Sequence, residues 1–237
     1  MIEQLVDDVF AHAEQEQPNE CCGLAVIVKG RLKYFPCKNL SSGDQFLIDP
    51  EDYANAEDKG EIVGICHSHV YIAPEPSQAD KVMCERTGLP WLIVNYPTKA
   101  YKIVQPEGYE APLVGRTFAY GVLDCYELVR DYYKQTLGIE LSSYDTEESW
   151  WKKGQNHYEE NFEKEGFVKV GYSDFKDVKE HDIFLMKVAS PVINHAAIYV
   201  GDNKILHHCY KRLSSKDVFG GYWQKSTEYV VRHKSLL

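Results

Sequence analysis

The segment GICHSH at 64–69 is typical of a β-strand and ends in two histidines that are separated by one residue. Because side chains alternate across a strand, the rings of His67 and His69 project from one face. Ser77 and Asp80 follow, in the spacing His-x-His-x7-Ser-x2-Asp. Two imidazoles and one carboxylate suit Zn²⁺ and leave a fourth position for water. The pattern therefore predicts a catalytic metal site, whereas His-x-His alone more often marks two half-exposed strand histidines.

A metal site that cleaves an amide needs a proton acceptor that is not a ligand. Glu20 stands just before the apolar run at 21–28 and is the candidate. It would take a proton from water and pass it to a leaving amine. Ser77 would stabilise the developing oxyanion through its hydroxyl. Taken alone, Glu20 would be interpreted as a solvated loop residue.

Cys125 is the second candidate for chemistry. It follows Asp124, a good N-cap residue, and begins a run of helical spacing that continues through Leu128 and Val129. In the first turn of a helix the dipole favours the thiolate, and backbone N–H groups lie close to an oxyanion. We predict that Cys125 is a nucleophile. The alternative, a buried structural cysteine, is our expectation for the other six cysteines.

A thiol nucleophile needs a base, and two histidines in the second half of the chain are candidates. His195 opens the strand-like run at 195–200, and His207 ends the run that returns after the turn at 201–203. If the hairpin loop has an odd length, the two rings face the same side of neighbouring strands. His195 would then accept the thiol proton, and His207 would orient the first ring. Either histidine alone would be interpreted as a half-exposed strand residue.

The elements that must position these residues follow from hydrophobic periodicity. In the first half, helices are predicted at 2–16, 50–58 and 77–86, and strands at 23–28, 32–35, 61–69, 91–94 and 101–104. We expect Pro36 to end the second strand. In the second half, a helix is predicted after Cys125, and strands at 183–188, 195–200, 204–208 and 229–232.

The segment at 105–112 carries two prolines and a glycine, and we interpret it as a linker. It divides the chain into predicted domains 1–108 and 109–237, which are both of ordinary domain size. The order of helices and strands predicts an α+β fold in two domains.

Composition excludes several classes of protein. The 237 residues carry a formal charge of −10, which argues against a nucleic-acid binder. Hydrophobic residues make up 44% and charged residues 26%, as in ordinary globular chains. No apolar run is long enough to span a bilayer, and the acidic start does not resemble a secretory signal. Seven irregularly spaced cysteines without a C-x-x-C pair favour a reducing cytosol over a disulfide framework.

The distant glutamate and the motif after it resemble the signature of the JAMM (MPN-plus) metalloproteases, which cleave amide and isopeptide bonds with zinc. The resemblance implies a mixed sheet flanked by helices. It also implies zinc ligands His67, His69 and Asp80, the general base Glu20 and the oxyanion donor Ser77. Val70 stands where the family often has a proline.

The second half resembles the NlpC-type papain-like cysteine peptidases, which cleave the peptide stems of bacterial cell walls. The match consists of Asp124-Cys125, then His195 before a glycine-containing hairpin, then His207. It implies a helix-borne cysteine packed on an antiparallel sheet and a Cys-His-His site. In that family an upstream tyrosine often assists the oxyanion, and Tyr120 is the nearest candidate.

The two domains in this order resemble the tail-tip assembly proteins of long, flexible-tailed phages, of the tail protein K type, over nearly the whole chain. The resemblance implies a hydrolase that acts on peptidoglycan peptides and contacts other tail-tip proteins. It also implies residence in the host cytoplasm during assembly and then at the tail tip. Two alternatives stay open: a structural assembly factor with vestigial sites, and an intracellular protease that processes a tail protein. The two intact residue sets favour the hydrolase.

Overall fold

The computed structural model describes residues 1–41, 45–144, 146, 149–171 and 175–237. The chain divides into two compact units, Met1–Glu110 and Ala111–Leu237. The division falls two residues after the position expected from the linker. Each unit has its own sheet and its own buried cores, and both combine helices with strands. The predicted α+β class is confirmed.

The first unit is a five-stranded mixed sheet flanked by three helices. Its elements are α1 (Val6–Glu16), β1 (Cys22–Val28), β2 (Arg31–Cys37), α2 (Pro50–Glu57), β3 (Glu61–His69), α3 (Gln78–Thr87), β4 (Trp91–Asn95) and β5 (Ala100–Val104). The strand order is β2-β1-β3-β4-β5, in which β3 and β4 are parallel and the other pairs are antiparallel. The mixed sheet agrees with the predicted architecture.

The β1–β2 hairpin differs from the prediction at one residue. Its two-residue turn at Lys29 and Gly30 has positive φ at both positions, as a tight hairpin requires. The strand then continues through Pro36 to Cys37 instead of ending at Phe35, so that prediction is wrong. Proline is tolerated because β2 is an edge strand, where a missing N–H can face away from the ladder.

The two faces of this sheet pack against different helices. Helix α1 covers one face, on which Cys21, Ala25 and Cys66 are buried. The other face buries Cys22 and Ile65 together with side chains from α2 and α3. Because strand residues alternate, the histidines that follow Ile65 at two-residue steps lie on the face of α3.

The second unit packs a helix on a six-stranded antiparallel sheet. Its elements are α4 (Cys125–Tyr132), α5 (His157–Asn161), β6 (Phe167–Val170), β7 (Ile183–Met186), β8 (His195–Tyr199), β9 (Lys204–His207), β10 (Ser215–Val218), α6 (Tyr222–Ser226) and β11 (Thr227–His233). The strand order is β10-β9-β8-β7-β11-β6. Helix α4 buries Leu128 and Val129 in a core with Ala196 and Ile198 of β8. The helix-borne cysteine on an antiparallel sheet is therefore confirmed.

Within the part of the chain that the structure describes, no helix combines the length and the apolar character needed to cross a bilayer.

Candidate functional sites

Three potential metal ligands converge in the first unit. His67 Nε2 and His69 Nε2 are 3.2 Å apart. Asp80 Oδ1 lies 3.5 Å from His67 Nε2, and Asp80 Oδ2 lies 3.4 Å from His69 Nε2. All three residues are buried. The structure thus brings together the two strand histidines and a carboxylate from the first turn of α3.

Strand register places Glu20 beside this cluster. Cys22 pairs with His67, and two further hydrogen bonds join the next residues: Ser68 N donates to Cys21 O, and Cys21 N donates to Ser68 Oγ. The same register, continued two residues before Cys22, sets Glu20 opposite His69 on the same face. Glu20 is only 5% exposed. It is therefore not a solvated loop residue, which is how it would be interpreted without the motif.

His69 is oriented by the loop that follows it. The ring Nδ1 lies 2.9 Å from the carbonyl of Ala73, which leaves Nε2 directed at the cluster. Burial alone lowers the pKa of His69, but Asp80, the Ala73 carbonyl and the charge of Glu20 together raise it. Outer hydrogen bonds of this kind fix the tautomer of metal-binding histidines.

The loop itself is held by Asn95 at the end of β4, a residue that the sequence analysis missed. Its side-chain amide donates to the carbonyls of His69, Val70 and Ile72. The Thr98 hydroxyl contacts the amide oxygen of Asn95, which fixes the orientation of the amide. The parallel pairing of β3 with β4 puts Asn95 directly beside His69. No spacing rule in the sequence reveals that pairing.

His67 is held by aromatic packing instead. Its ring stacks on Phe46 with centroids 4.5 Å apart, and it meets Trp91 edge-on at 5.5 Å. Burial lowers the pKa of His67 to about 4, so the imidazole is neutral at neutral pH. A neutral imidazole is the form that binds a metal.

Asp80 and Ser77 form a capping box at the start of α3. Ser77 N donates to Asp80 Oδ2 at 2.7 Å, and Asp80 N donates to Ser77 Oγ at 3.1 Å. Burial by itself raises the pKa of Asp80, but His67, His69 and Ser77 hold it well below its usual value. Ser77 therefore has a structural role that the sequence analysis did not assign, and its hydroxyl proton is not used by the cap.

The donor spacing fits a tetrahedral zinc ion. With Zn–N and Zn–O bonds near 2.0–2.1 Å, neighbouring ligand atoms should lie about 3.3–3.4 Å apart. The two histidine nitrogens are 3.2 Å apart, and each lies 3.4–3.5 Å from a different oxygen of Asp80. The residues present suit Zn²⁺ in charge and donor type, and their donor atoms are close enough to share one ion.

In the second unit, Cys125 begins α4 as predicted, with Asp124 as its N-cap. One oxygen of Asp124 accepts from the N–H groups of Tyr126 and Glu127, and the other accepts from Gly121 N. A single carboxylate therefore fixes both the helix start and the chain before it. The N–H of Cys125 itself donates to no partner among the described residues, which leaves it available to an oxyanion.

Cys125 lies on the wall of a cavity of about 450 Å³. Aromatic side chains line much of this cavity, namely Tyr120, Tyr126, Trp150, Trp151 and Tyr158. The Cys125 sulfur lies 3.2 Å from the Tyr158 hydroxyl, a neighbour that the sequence analysis missed. Burial, helped by the charge of Asp124, raises the pKa of the Cys125 thiol to about 12. Burial of Cys125 therefore opposes the thiolate that the helix start favours.

The two histidines of the hairpin meet as the odd loop length predicted. Ala197 pairs with His207, and the same register pairs Val200 with Lys204 and leaves three residues, 201–203, in the loop, so His195 and His207 share a face. His195 Nε2 lies 3.1 Å from His207 Nδ1. Burial, together with its histidine neighbours, lowers the pKa of His195 to about 3. The ring is therefore neutral at neutral pH.

Asp217 on β10 extends this pair, and the sequence analysis missed it as well. Its Oδ2 lies 3.1 Å from His207 Nε2. The carboxylate favours the proton on that nitrogen, so His207 Nδ1 accepts from His195 Nε2–H. His195 Nδ1 is then the free acceptor. The strand that carries Asp217 is short and polar and has no hydrophobic pattern that would predict it.

Cys125 and His195 line the same cavity, but no hydrogen bond joins these two described residues. Such contacts are often long in free enzymes and shorten when substrate binds. His208 is buried, with its Nε2 3.1 Å from the Arg212 carbonyl.

Comparison with known families gives one match for each half. The model for prokaryotic homologs of the JAB domain matches residues 3–105, and the NlpC/P60 family model matches residues 115–232.

Individual relatives cover more of the chain. The chain is 42% identical over 240 residues to tail tip assembly protein K of Escherichia phage N15, covering 100% of this chain and 97% of that protein. It is 38% identical over 188 residues to tail tip assembly protein K of Escherichia phage lambda, covering 79% and 90%. Among solved structures, a JAB1/MPN domain protein from Archaeoglobus fulgidus is 22% identical, with a TM-score of 0.30, over 46% of this chain and 88% of that one.

Proposed function

The chain belongs to the family of the tail tip assembly proteins K, and we propose that it is a hydrolase with one peptidase site in each structural unit. The second site would cleave the stem peptides of peptidoglycan by Cys-His-His chemistry. The first would be a zinc-dependent peptidase or isopeptidase. The observation that carries the proposal is that each unit gathers its own reactive side chains. His67, His69 and Asp80 converge in the first unit, and in the second Cys125 and His195 line one cavity with His207 beside His195.

In the cysteine site, the chain supplies the nucleophile, its base and an oxyanion donor. His195 Nδ1 takes the Cys125 proton as the sulfur attacks the scissile carbonyl carbon. The N–H of Cys125 stabilises the resulting oxyanion. The leaving amine then receives the proton from His195, and water attacks the thioester to release the acid and regenerate the thiol. The aromatic cavity walls would hold the stem peptide.

In the metal site, His67, His69 and Asp80 would hold Zn²⁺. When bound, the ion would polarise the scissile carbonyl and lower the pKa of a water molecule. Glu20 would accept the proton from the attacking water and deliver it to the leaving amine. Ser77 accepts a hydrogen bond in the capping box, so its own O–H remains able to donate to the oxyanion. Both roles of Ser77 are compatible.

Membership of this family supports a proposal for where the activity takes place. We propose that the chain works in the host cytoplasm during tail assembly and then at the tail tip, against the cell wall. Its partners would be other tail-tip proteins.

Purified variants with peptidoglycan fragments test the proposal. We expect stem-peptide cleavage by the natural chain, at least about a thousandfold less by Cys125→Ala, and undiminished cleavage by Glu20→Gln. Glu16→Gln, an exposed glutamate four residues away, is the matched control for the second variant. Loss of wall cleavage in Glu20→Gln with retention in Cys125→Ala would contradict the assignment of wall cleavage to the second unit.

A structural assembly factor is the second candidate. It is supported by the missing hydrogen bond between Cys125 and His195 and by the high pKa of the thiol. No turnover by the natural chain on wall fragments or on tail proteins, with zinc bound, would favour it. Cleavage of a tail protein that depends on Glu20 would favour a processing protease instead.

A further inference from the structure

A third side chain reaches the histidine pair of the second unit. Cys209 Sγ lies 3.6 Å from His207 Nδ1 and 3.9 Å from His195 Nε2, and those two nitrogens are 3.1 Å apart. Each residue turns one donor atom toward the other two. We propose that His195, His207 and Cys209 form a second zinc site, with two nitrogen donors and one sulfur donor.

The donor triangle has the dimensions of a zinc site. With Zn–N bonds near 2.05 Å and Zn–S bonds near 2.3 Å, a tetrahedral ion holds its nitrogens about 3.3 Å apart and each nitrogen about 3.6 Å from the sulfur. Each of the three observed separations lies within a few tenths of an ångström of these values. A small displacement of the side chains would admit the ion.

Strand register explains why Cys209 joins the pair. Ala197 lies opposite His207, so the same register carried two residues further sets Cys209 opposite His195. Both histidines are nearly fully buried, whereas Cys209 is partly exposed and lines the cavity. The cavity gives an ion a path from solvent to the sulfur.

The surroundings of His207 match those of a metal-binding histidine. The Asp217 carboxylate faces Nε2, and so Nδ1 presents its lone pair to the other two donors. Trp223 meets the His207 ring edge-on with centroids 4.5 Å apart and restrains it. A thiolate with two imidazoles selects Zn²⁺ over Mg²⁺ or Ca²⁺, which prefer oxygen ligands.

Occupancy would switch the cysteine site off, a consequence that rests on the proposed function. An ion on His195 Nε2 would use the lone pair of that nitrogen, so the single proton of the neutral ring would move to Nδ1. Nδ1 would then have no lone pair with which to accept the Cys125 proton. Zinc would therefore inhibit wall cleavage by binding His195 and His207, and a chelator would restore the cleavage.

Cobalt titration of the full chain tests the site directly, because only a sulfur ligand gives thiolate-to-Co²⁺ charge-transfer absorption in the near ultraviolet. The first unit's cluster has nitrogen and oxygen donors alone. We expect this absorption, and two ions per chain, in the natural chain and in Cys125→Ser. Cys209→Ser should lose the absorption and one ion, while Asp80→Asn should lose one ion and keep the absorption. Circular dichroism of Cys209→Ser checks that the near-isosteric variant is folded.

Two spectroscopic results would overturn the site: no thiolate absorption in the natural chain at saturating cobalt, or absorption that persists in Cys209→Ser. The inhibitory role is tested by zinc titration of stem-peptide cleavage, in which Cys209→Ser should need at least about tenfold more zinc for half-inhibition. Equal inhibition of both chains would overturn that role. Cysteine-dependent cobalt absorption without any turnover would count against the proposed function and leave the site standing.

Discussion

The two candidate sites differ in how their residues are distributed along the chain. The metal cluster of the first unit takes all three donors from the short segment between His67 and Asp80, one strand end and the first turn of the next helix. The cysteine site draws on a helix start and three strands, from Cys125 to Asp217. The first arrangement depends on local geometry. The second depends on strand pairings that form only when the whole sheet folds.

We expect the largest effect, a fall in zinc affinity, when a ligand is removed from the local cluster. Asp80→Asn removes the only carboxylate of the donor triangle, so we expect zinc affinity of the first unit to fall at least about a hundredfold. Asp49→Asn is the matched control, since Asp49 caps α2 in the same unit without touching the cluster. Metal analysis after dialysis measures the effect. Unchanged zinc content in Asp80→Asn would break the assignment.

The dispersed site should respond to a residue that touches no substrate. Asp217 acts through His207, and Asp217→Asn should lower kcat for stem-peptide cleavage about tenfold to a hundredfold, as loss of an outer-shell partner does. Burial lowers the pKa of His207, and Asp217 partly offsets this by raising it. Without that carboxylate the pKa of His207 falls further, so the acid limb of kcat/KM should move to lower pH.

A pH profile separates this positioning role from a merely structural one. Asp202→Asn changes an exposed turn residue of the same unit and should leave both the rate and the profile unaltered. A fall in rate for Asp217→Asn with no movement of the acid limb would indicate that the strand, and not the histidine chain, was damaged.

The smallest effect concerns Ser77, which has two roles in the local site. Ser77→Ala removes the cap of α3 and should cost about 1 kcal/mol in the free energy of unfolding, whereas Ser77→Gly should cost only a few tenths. If the hydroxyl also donates to the oxyanion, both variants should lose the metal-dependent activity equally. Thermal unfolding and turnover, measured side by side, check this. Recovery of activity in Ser77→Gly would assign Ser77 to capping alone.

The same contrast decides what could be predicted from the sequence. Alternation along β3 was enough to predict that His67 and His69 share a face, and the spacing to Ser77 and Asp80 predicted a metal site, because each step involves neighbouring elements. The hairpin between β8 and β9 was equally local, so the meeting of His195 with His207 could be inferred from its odd loop. The resemblance to the phage tail-tip family is confirmed by identity along the whole chain.

The residues that were missed lie on elements whose pairing or packing the sequence pattern does not reveal. Asn95 reaches His69 through a parallel pairing, Asp217 reaches His207 from an edge strand, and Tyr158 reaches Cys125 from a short helix. Edge strand β10 is polar, so hydrophobic periodicity gives no signal for it. The effect of burial on the pKa of the Cys125 thiol was also missed, because it depends on the walls of the cavity and not on the helix start.

Asn95 restrains the segment after His69 from a neighbouring strand. Val70 stands where the related family often has a proline. The segment after His69 is held instead by the side-chain amide of Asn95, which lies 25 positions after Val70 on the neighbouring strand. Order at the imidazole is thereby coupled to the integrity of the β4–β5 hairpin.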